Sequence, residues 1–351
     1  MDFDADRAQD FALDVWKFKQ GEVVSMMIHL GDRLGMYRAM RGRGSLSPAE
    51  VAAACELDER WVAEWLLGQA AAGLLDRDGE GRYELSNEGA AVLVDEESLL
   101  FATGAFIGGT PPEIVERIVA SFRTGRGFSY GEMGLESAQQ IDRMNGPWLR
   151  NYLIPKVVSQ VAGIAERLAN GGRMADVGCG GGVALEAFAS AFPSAQLVGV
   201  DPSAPAVELA RRRLGGYANV VVYGGALEDI PPQGSFDLIT TLDCMHDMSR
   251  PDHTAAAINA HLAPDGVWLI KDMKSAPRFE DNRRNPLLAM QYGYSIVSCL
   301  ASATATEDGL ALGTLGFHPE RAREIVEAAG FSSIRLIDTD DPAHLYYEVR
   351  R

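Results

Sequence analysis

Basic residues are scarce in this 351-residue chain: 32 Lys and Arg stand against 49 Asp and Glu, a formal net charge of −17. A protein that holds nucleic acid through phosphates needs clustered Lys and Arg. The acidic balance therefore argues against that class and against docking on anionic lipid. Cysteine is scarce too. Cys55, Cys179, Cys244 and Cys299 are scattered, with no CxxC pair, which argues against a disulfide framework and a cysteine-based metal site. No apolar run approaches the roughly 18 residues of a membrane span. The opening MDFDADRAQD is acidic and polar, unlike the basic and then apolar start of a secretory signal, so a cytoplasmic protein is expected. The composition, 47% apolar and 23% charged, is that of an ordinary globular protein. The length suits about two domains of ~150 residues each.

The first hundred residues predict helices and one small hairpin. Ser47-Pro48-Ala49-Glu50 has the form of a capping box, with proline at the first helical position. Asp58 suits the cap of a second helix in which Trp61, Trp65, Leu66 and Ala70 share a face, and Gly73 suits its stop. In LLDRDGEGRYEL, two strand-like pieces flank Asp78-Gly79, a hairpin signal. Helix, turn, helix and hairpin make a winged-helix pattern over residues 1–95. Its charge opposes DNA binding: residues 1–100 hold 10 Lys and Arg against 20 Asp and Glu, a net of −10. A dimerisation domain is the expected alternative, with VVSMMIHLGDRL (23–34) as an interface helix and Trp61 and Trp65 in the core. Residues 96–165 read as a helical connector.

Residues 166–351 alternate short apolar strands with helices. Strands are expected at 174–177, 196–200, 219–223, 236–241, 266–270, 333–337 and 345–349, with helices including 204–214, 253–262 and 319–329. That alternation predicts an α/β fold with a parallel sheet covered on both faces. The last two strands are joined through Asp340-Asp341-Pro342, too short for a crossover helix, so the final strand is expected to be antiparallel.

The most informative segment is MADVGCGGGV (174–183). A strand carrying Asp176 runs into a turn with Gly178, Gly180 and Gly182, and a helix follows. Glycine permits the tight turn and close approach of the backbone to a ligand. The dinucleotide pattern GxGxxG would need glycine at Val183 and fails. LVGVDPS then places Asp201 at the end of the second strand, where a carboxylate accepts both hydroxyls of a ribose; without the glycine loop Asp201 would be just a helix cap before Ala204, and with it ribose binding is the favoured reading.

Asp176-x-Gly178-x-Gly180-x-Gly182, Asp201, GGALEDIP after the third strand and FDLITTLDCMHD at the fourth resemble a class I S-adenosylmethionine-dependent methyltransferase over roughly residues 165–351. With the winged-helix half in front, the layout resembles the small-molecule O-methyltransferases. The resemblance implies a Rossmann-like seven-stranded sheet with its final strand antiparallel, and S-adenosyl-L-methionine as cofactor. It implies a cofactor site of Asp176, Gly178, Cys179, Gly180, Gly182, Asp201, Pro202, Ala226, Leu227, Leu242 and Asp243. Family members often have an acid where this chain has Gly225, so adenine contacts fall to Ala226 and Leu227, or to Glu228 or Asp229. The phenolic enzymes also offer a lysine near Leu242, absent here.

The family carries His-Asp-Trp after the fourth strand, where this chain has His246-Asp247-Met248. Carried over, His246 is the general base that takes the acceptor's proton and Asp272 orients it. Histidine suits a proton near neutral pH, and methyl transfer from a sulfonium needs placement and proton removal above all. The competing readings are a structural histidine and a solvated loop carboxylate. His253 and His261 read as surface or packing residues, His318 as sitting at a helix start, and His29 and His344 as belonging to no constellation. No group has metal-ligand spacing, so no metal is expected.

An insertion, 274–318, is expected to cover an acceptor pocket formed by Trp148, Tyr152, Met245, Met290, Tyr294 and Phe317. The function expected is methyl transfer to a small apolar or aromatic acceptor, by a homodimer joined through its N-terminal half and without membrane or nucleic-acid partner. Two alternatives stand: a winged-helix regulator with a ligand-sensing second half, and a cofactor-binding homologue without catalysis.

Overall fold

The computed structural model describes residues 3–230 and 235–351; Met1, Asp2 and Pro231, which closes the GGALEDIP segment, lie outside them. The chain divides into two compact units at Thr110 and Pro111, so the stretch expected as one connector over 96–165 is shared between them.

The first unit opens with α1 (Ala5–Arg33), capped by Asp4, and α2 (Met36–Met40). Helix α3 (Pro48–Cys55) begins in a complete capping box: Glu50 N donates to Ser47 Oγ at 3.3 Å and Ser47 N to Glu50 Oε2 at 2.7 Å. Asp58 caps α4 (Glu59–Ala71) by accepting from Trp61 N. The buried face of α4 is Val62, Trp65, Leu66 and Gln69. Trp65 belongs to the core as expected, but Trp61 does not: it is 80% exposed. The buried arc is centred on Val62 and Leu66, which turns position 61 outward. The wing is the antiparallel pair β1 (Asp76–Arg77) and β2 (Tyr83–Glu84), followed by α5 (Asn87–Leu93).

Along α1 only Ile28 and Gly31 are buried. Gly31 lets Trp65 and Tyr37 approach, since a Cβ there would collide with both rings. Phe11, Trp16, Phe18, Val23 and Met26 are exposed.

The second unit starts with α6 (Pro112–Thr124), α7 (Gly134–Asn151) and α8 (Ile164–Ala169). Its strands are β3 (Arg173–Val177), β4 (Gln196–Asp201), β5 (Val220–Gly224), β6 (Phe236–Leu242), β7 (Leu262–Met273), β8 (Ser333–Ile337) and β9 (His344–Arg350). They form one seven-stranded sheet in the order β5-β4-β3-β6-β7-β9-β8. Strands β3 to β7 run parallel, and β9 is antiparallel to both β7 and β8.

Because side chains alternate along each strand, the sheet feeds two cores. Met174, Leu197, Leu238, Leu269 and Tyr346 face α9 (Val183–Ala191) and α10 (Ala204–Leu214). Ala175, Val198, Ile239, Trp268 and Tyr347 face α11 (Pro251–His261) and α15 (Pro319–Ala328). The insertion is helical, with α12 (Phe279–Asn282), α13 (Leu288–Tyr294) and α14 (Leu300–Ala303). A π-helical turn, Ser295–Cys299, joins α13 to α14. The carboxyl ends of β3, β4, β6 and β7 and the start of β9 meet at one edge of the sheet, where an open α/β sheet binds ligands.

Candidate active site

The turn after β3 is built from conformations that favour glycine: φ is +76° at Gly178, +53° at Gly180 and +81° at Gly182. Gly178 also has no room for a Cβ, which would meet Cys244 Sγ. Three carboxylates surround this loop. Asp201 accepts from Gly180 N at 2.9 Å and Ser203 N at 2.8 Å. Asp176 accepts from Thr240 Oγ1 at 2.6 Å. Asp142, on α7, accepts from Gly181 N at 3.1 Å and pairs with Arg213 at 2.6 Å. Burial pushes all three up. Asp176 reaches about 7, with the Asp201 charge adding to the effect. An acidic pocket of this kind favours a ligand that brings positive charge.

The other expected cofactor residues lie along the same edge. Cys179 is buried, its thiol pushed up by burial and by the charges of Asp201 and Asp176. Pro202 and Gly225 share the lining of a concavity of about 530 Å³ beside α10. Gly225 has φ +123°, which excludes the acid expected from the family pattern. Asp229 folds back so that Ala226 N donates to it at 3.3 Å, while the Leu227 side chain is buried in the core.

Leu242 and Asp243 end β6. Asp243 is held at φ +57°, a conformation costly for a non-glycine residue and concentrated at functional sites. Its carboxylate pairs with Lys271 and lies 3.6 Å from His344 Nε2. Burial alone would raise its pKa, but His344 and Lys271 outweigh that and hold it low. Lys271 is 1% exposed, with its ammonium 4.4 Å from the centroid of Trp148. His344, expected to belong to no constellation, also pairs with Asp341 at 3.1 Å.

His246 and Asp272 come together across β6 and β7. His246 Nδ1 lies 2.7 Å from Asp272 Oδ1, and both residues are buried. On the other side, Nε2 lies 3.2 Å from Asp247 Oδ1. Burial alone would favour neutral imidazole, but the Asp247 and Asp272 carboxylates outweigh it and raise its pKa well above the usual range.

The six acceptor-pocket residues are not gathered on one wall. Trp148 stacks on Tyr346, with centroids 5.4 Å apart, and contacts Tyr152 at 5.1 Å; Tyr152 donates to Asp340. Met245 and Phe317 are fully buried in the core cluster of β6, β7 and β9. Met290 and Tyr294 are partly exposed on α13.

Asp142, Lys271, Cys299 and Tyr130, whose hydroxyl lies 3.8 Å from Cys299 Sγ, escaped the sequence reading. The one signal was Lys271, a charge inside the apolar run VWLIKDM. The others act only through tertiary proximity. Among the described residues, one group has metal-donor proximity: His246, Asp247 and Cys299. Tertiary proximity brings them together, with no metal-ligand spacing in the sequence.

Residues 175–268 match the family model of a methyltransferase domain, and residues 22–95 that of an Rv2258c-like winged HTH domain. The ubiquinone biosynthesis O-methyltransferase of Aromatoleum aromaticum is 34% identical over 99 residues, 27% of this chain and 42% of that protein. The chain spans less than half the length of the curated relatives it matches. Human N-acetylserotonin methyltransferase, solved in complex with S-adenosylmethionine, superposes with a TM-score of 0.70 at 19% identity, over 100% of this chain and 99% of that one. Mitomycin 7-O-methyltransferase superposes with a TM-score of 0.67 at 19% identity, over 99% and 100%. Residues 22–95 are thus similar to an Rv2258c-like winged HTH domain and residues 175–268 to a methyltransferase domain, on a fold shared with solved methyltransferases.

Proposed function

We propose that this protein transfers the methyl group of S-adenosylmethionine to an oxygen of a small, mostly apolar or aromatic acceptor, with His246 as general base. The observation that carries the reading is the His246–Asp272 contact at the sheet edge beside the glycine loop. The cofactor is a cation, and the ring of Asp142, Asp176 and Asp201 around the loop suits one. When bound, it supplies an electrophilic methyl group on its sulfonium.

The chain's residues then divide the work. The loop Gly178–Gly182 with Cys179 and Asp176 holds the methionine portion, flanked by Leu242 and Asp243. Asp201 and Pro202 take the ribose, and Ala226 and Leu227 the adenine. Asp272 accepts from Nδ1 and leaves Nε2 to take the hydroxyl proton of the acceptor, as general-base catalysis requires. Asp272 is thus a positioning residue. Trp148, Tyr152, Met290 and Tyr294 would border the acceptor, while Met245 and Phe317 belong to the packed core.

The protein works as a homodimer joined through its N-terminal domain. The apolar residues that α1 exposes support that role. Helix α4 argues against DNA, since its Arg60 is paired with Glu64 at 2.5 Å.

Calorimetry with S-adenosylmethionine tests the cofactor reading, and absence of binding to the wild type overturns it. His246→Ala should keep cofactor affinity and lose methyl transfer to an accepted small phenol by about 10²–10⁴-fold. Unchanged turnover would make His246 structural.

A further inference from the structure

At the proposed methyl-transfer site, His246 stands beside two donors, Asp247 and Cys299, that the reaction does not use. His246, Asp247 and Cys299 each offer one ligand atom within 4.8 Å of the others', and His246 Nε2 lies 3.2 Å from Asp247 Oδ1. Cys299 comes from the π-helical turn Ser295–Cys299, and such turns are frequent at functional sites. Cys299 and His246 are buried, and Asp247 is nearly so.

Three details fit a metal ion. Asp247 Oδ1 is buried and takes no aligned hydrogen bond from the described residues, although Nε2 lies 3.2 Å away. A divalent cation that displaces the Nε2 proton would take both groups as ligands. Second, His246 is already oriented for ligation: its Nδ1 is 2.7 Å from Asp272 Oδ1, the carboxylate–histidine pairing that fixes metal-bound imidazoles. Third, one imidazole, one carboxylate and one thiol are the donors of zinc sites, and three protein ligands with an open fourth position are the pattern of accessible ones. The Tyr130 hydroxyl lies 3.8 Å from Cys299 Sγ.

We propose that His246, Asp247 and Cys299 form a binding site for Zn²⁺ or a similar thiophilic divalent cation, and that its occupation shuts off methyl transfer by capturing Nε2. Binding is a ligand exchange without redox change. The thiol of Cys299 and the Nε2 position of His246 give up their protons to solvent as the metal enters. The binding half stands without the proposed reaction, and the inhibition half rests on it.

The test is a titration of the full-length protein with Co²⁺ and with Zn²⁺. Wild type is expected to bind one Co²⁺ with a thiolate-to-cobalt charge-transfer band that Zn²⁺ abolishes by displacement. Cys299→Ser should lose the band and weaken Zn²⁺ binding at least about tenfold, and Asp272→Asn should weaken it by about 10–100-fold, as loss of an orienting partner does. Circular dichroism of each variant confirms the fold. No band in the wild type, or an unchanged band in Cys299→Ser, overturns the site. If methyl transfer is observed, Zn²⁺ should inhibit the wild type at lower concentration than Cys299→Ser, relative to each protein's own metal-free rate. Equal inhibition overturns the regulatory half alone, and failure to detect any methyl transfer bears on the reaction and leaves the cobalt result decisive for the site.

Discussion

Lys271 on β7 stands in register with Leu242 on β6 and carries its ammonium to Asp243, the next residue of the β6 edge. The lysine that the family pattern offers near Leu242 is missing from that strand. A cation reaches the same edge from the neighbouring strand instead. It is fully buried, with Trp148 over it.

This pair makes a stability prediction. Lys271→Met keeps the stem beside Trp148 but leaves the buried Asp243 carboxylate without its nearest cation, and removal of one member of a buried pair costs about 3–5 kcal/mol. Asp243→Asn should also destabilise, while tolerating the left-handed backbone. The double variant should lose clearly less than the sum of the two. Urea unfolding of the four proteins measures the cycle, and additivity would show the pair to be uncoupled.

Asp176 predicts a pH dependence. Its folded pKa is near 7, against the ordinary 3.8. Between those values the folded chain keeps a proton that the unfolded chain releases, so stability falls as pH rises from 4 to 7 and the cost is complete above 7. At ~1.4 kcal/mol per unit, that cost is roughly 4 kcal/mol at most. Asp176→Asn, which can still accept from Thr240, should therefore raise the melting temperature of the cofactor-free protein at pH 8 and leave it unchanged near pH 4. The same change should weaken cofactor binding. Equal melting temperatures at pH 8 would place Asp176 in a far wetter environment.

Asp201 predicts a cofactor effect. Losing charge-assisted hydrogen bonds of about 1.5–3 kcal/mol should weaken S-adenosylmethionine by roughly tenfold to a hundredfold in Asp201→Ala. Calorimetry measures it, and an unchanged affinity would leave Asp201 as the cap that Ser203 N and Gly180 N already make of it.

His246 predicts the pH profile of the proposed reaction. A base works in its deprotonated form, and two carboxylates hold this imidazole protonated well above its ordinary range. Turnover should therefore rise with pH into the alkaline range. Asp272→Asn should move the rise to lower pH and cut kcat more than KM changes. A profile unmoved by that variant would deny Asp272 its positioning role.

Light scattering is expected to show a dimer, through the apolar residues exposed on α1. A monomer at micromolar concentration would refute it.

Periodicity and local chemistry in the sequence determined the α/β sheet, the antiparallel last strand, the capping box at Ser47 and the glycine loop. Each depends on residues near one another in the chain, where spacing and turn chemistry act directly. The same local signals placed Asp176, Asp201 and His246 at strand ends. The exposure of Trp61 already needed the packed structure, because a helix face is chosen by what it packs against. The rest depended on side chains far apart in sequence. Asp142 reaches Gly181, Lys271 reaches Asp243, and Cys299 reaches His246, through strand register and helix packing that no local pattern encodes. What these contacts decide, the charge state of buried groups, depends on burial and on neighbours brought by the fold, so it belongs to the tertiary structure alone.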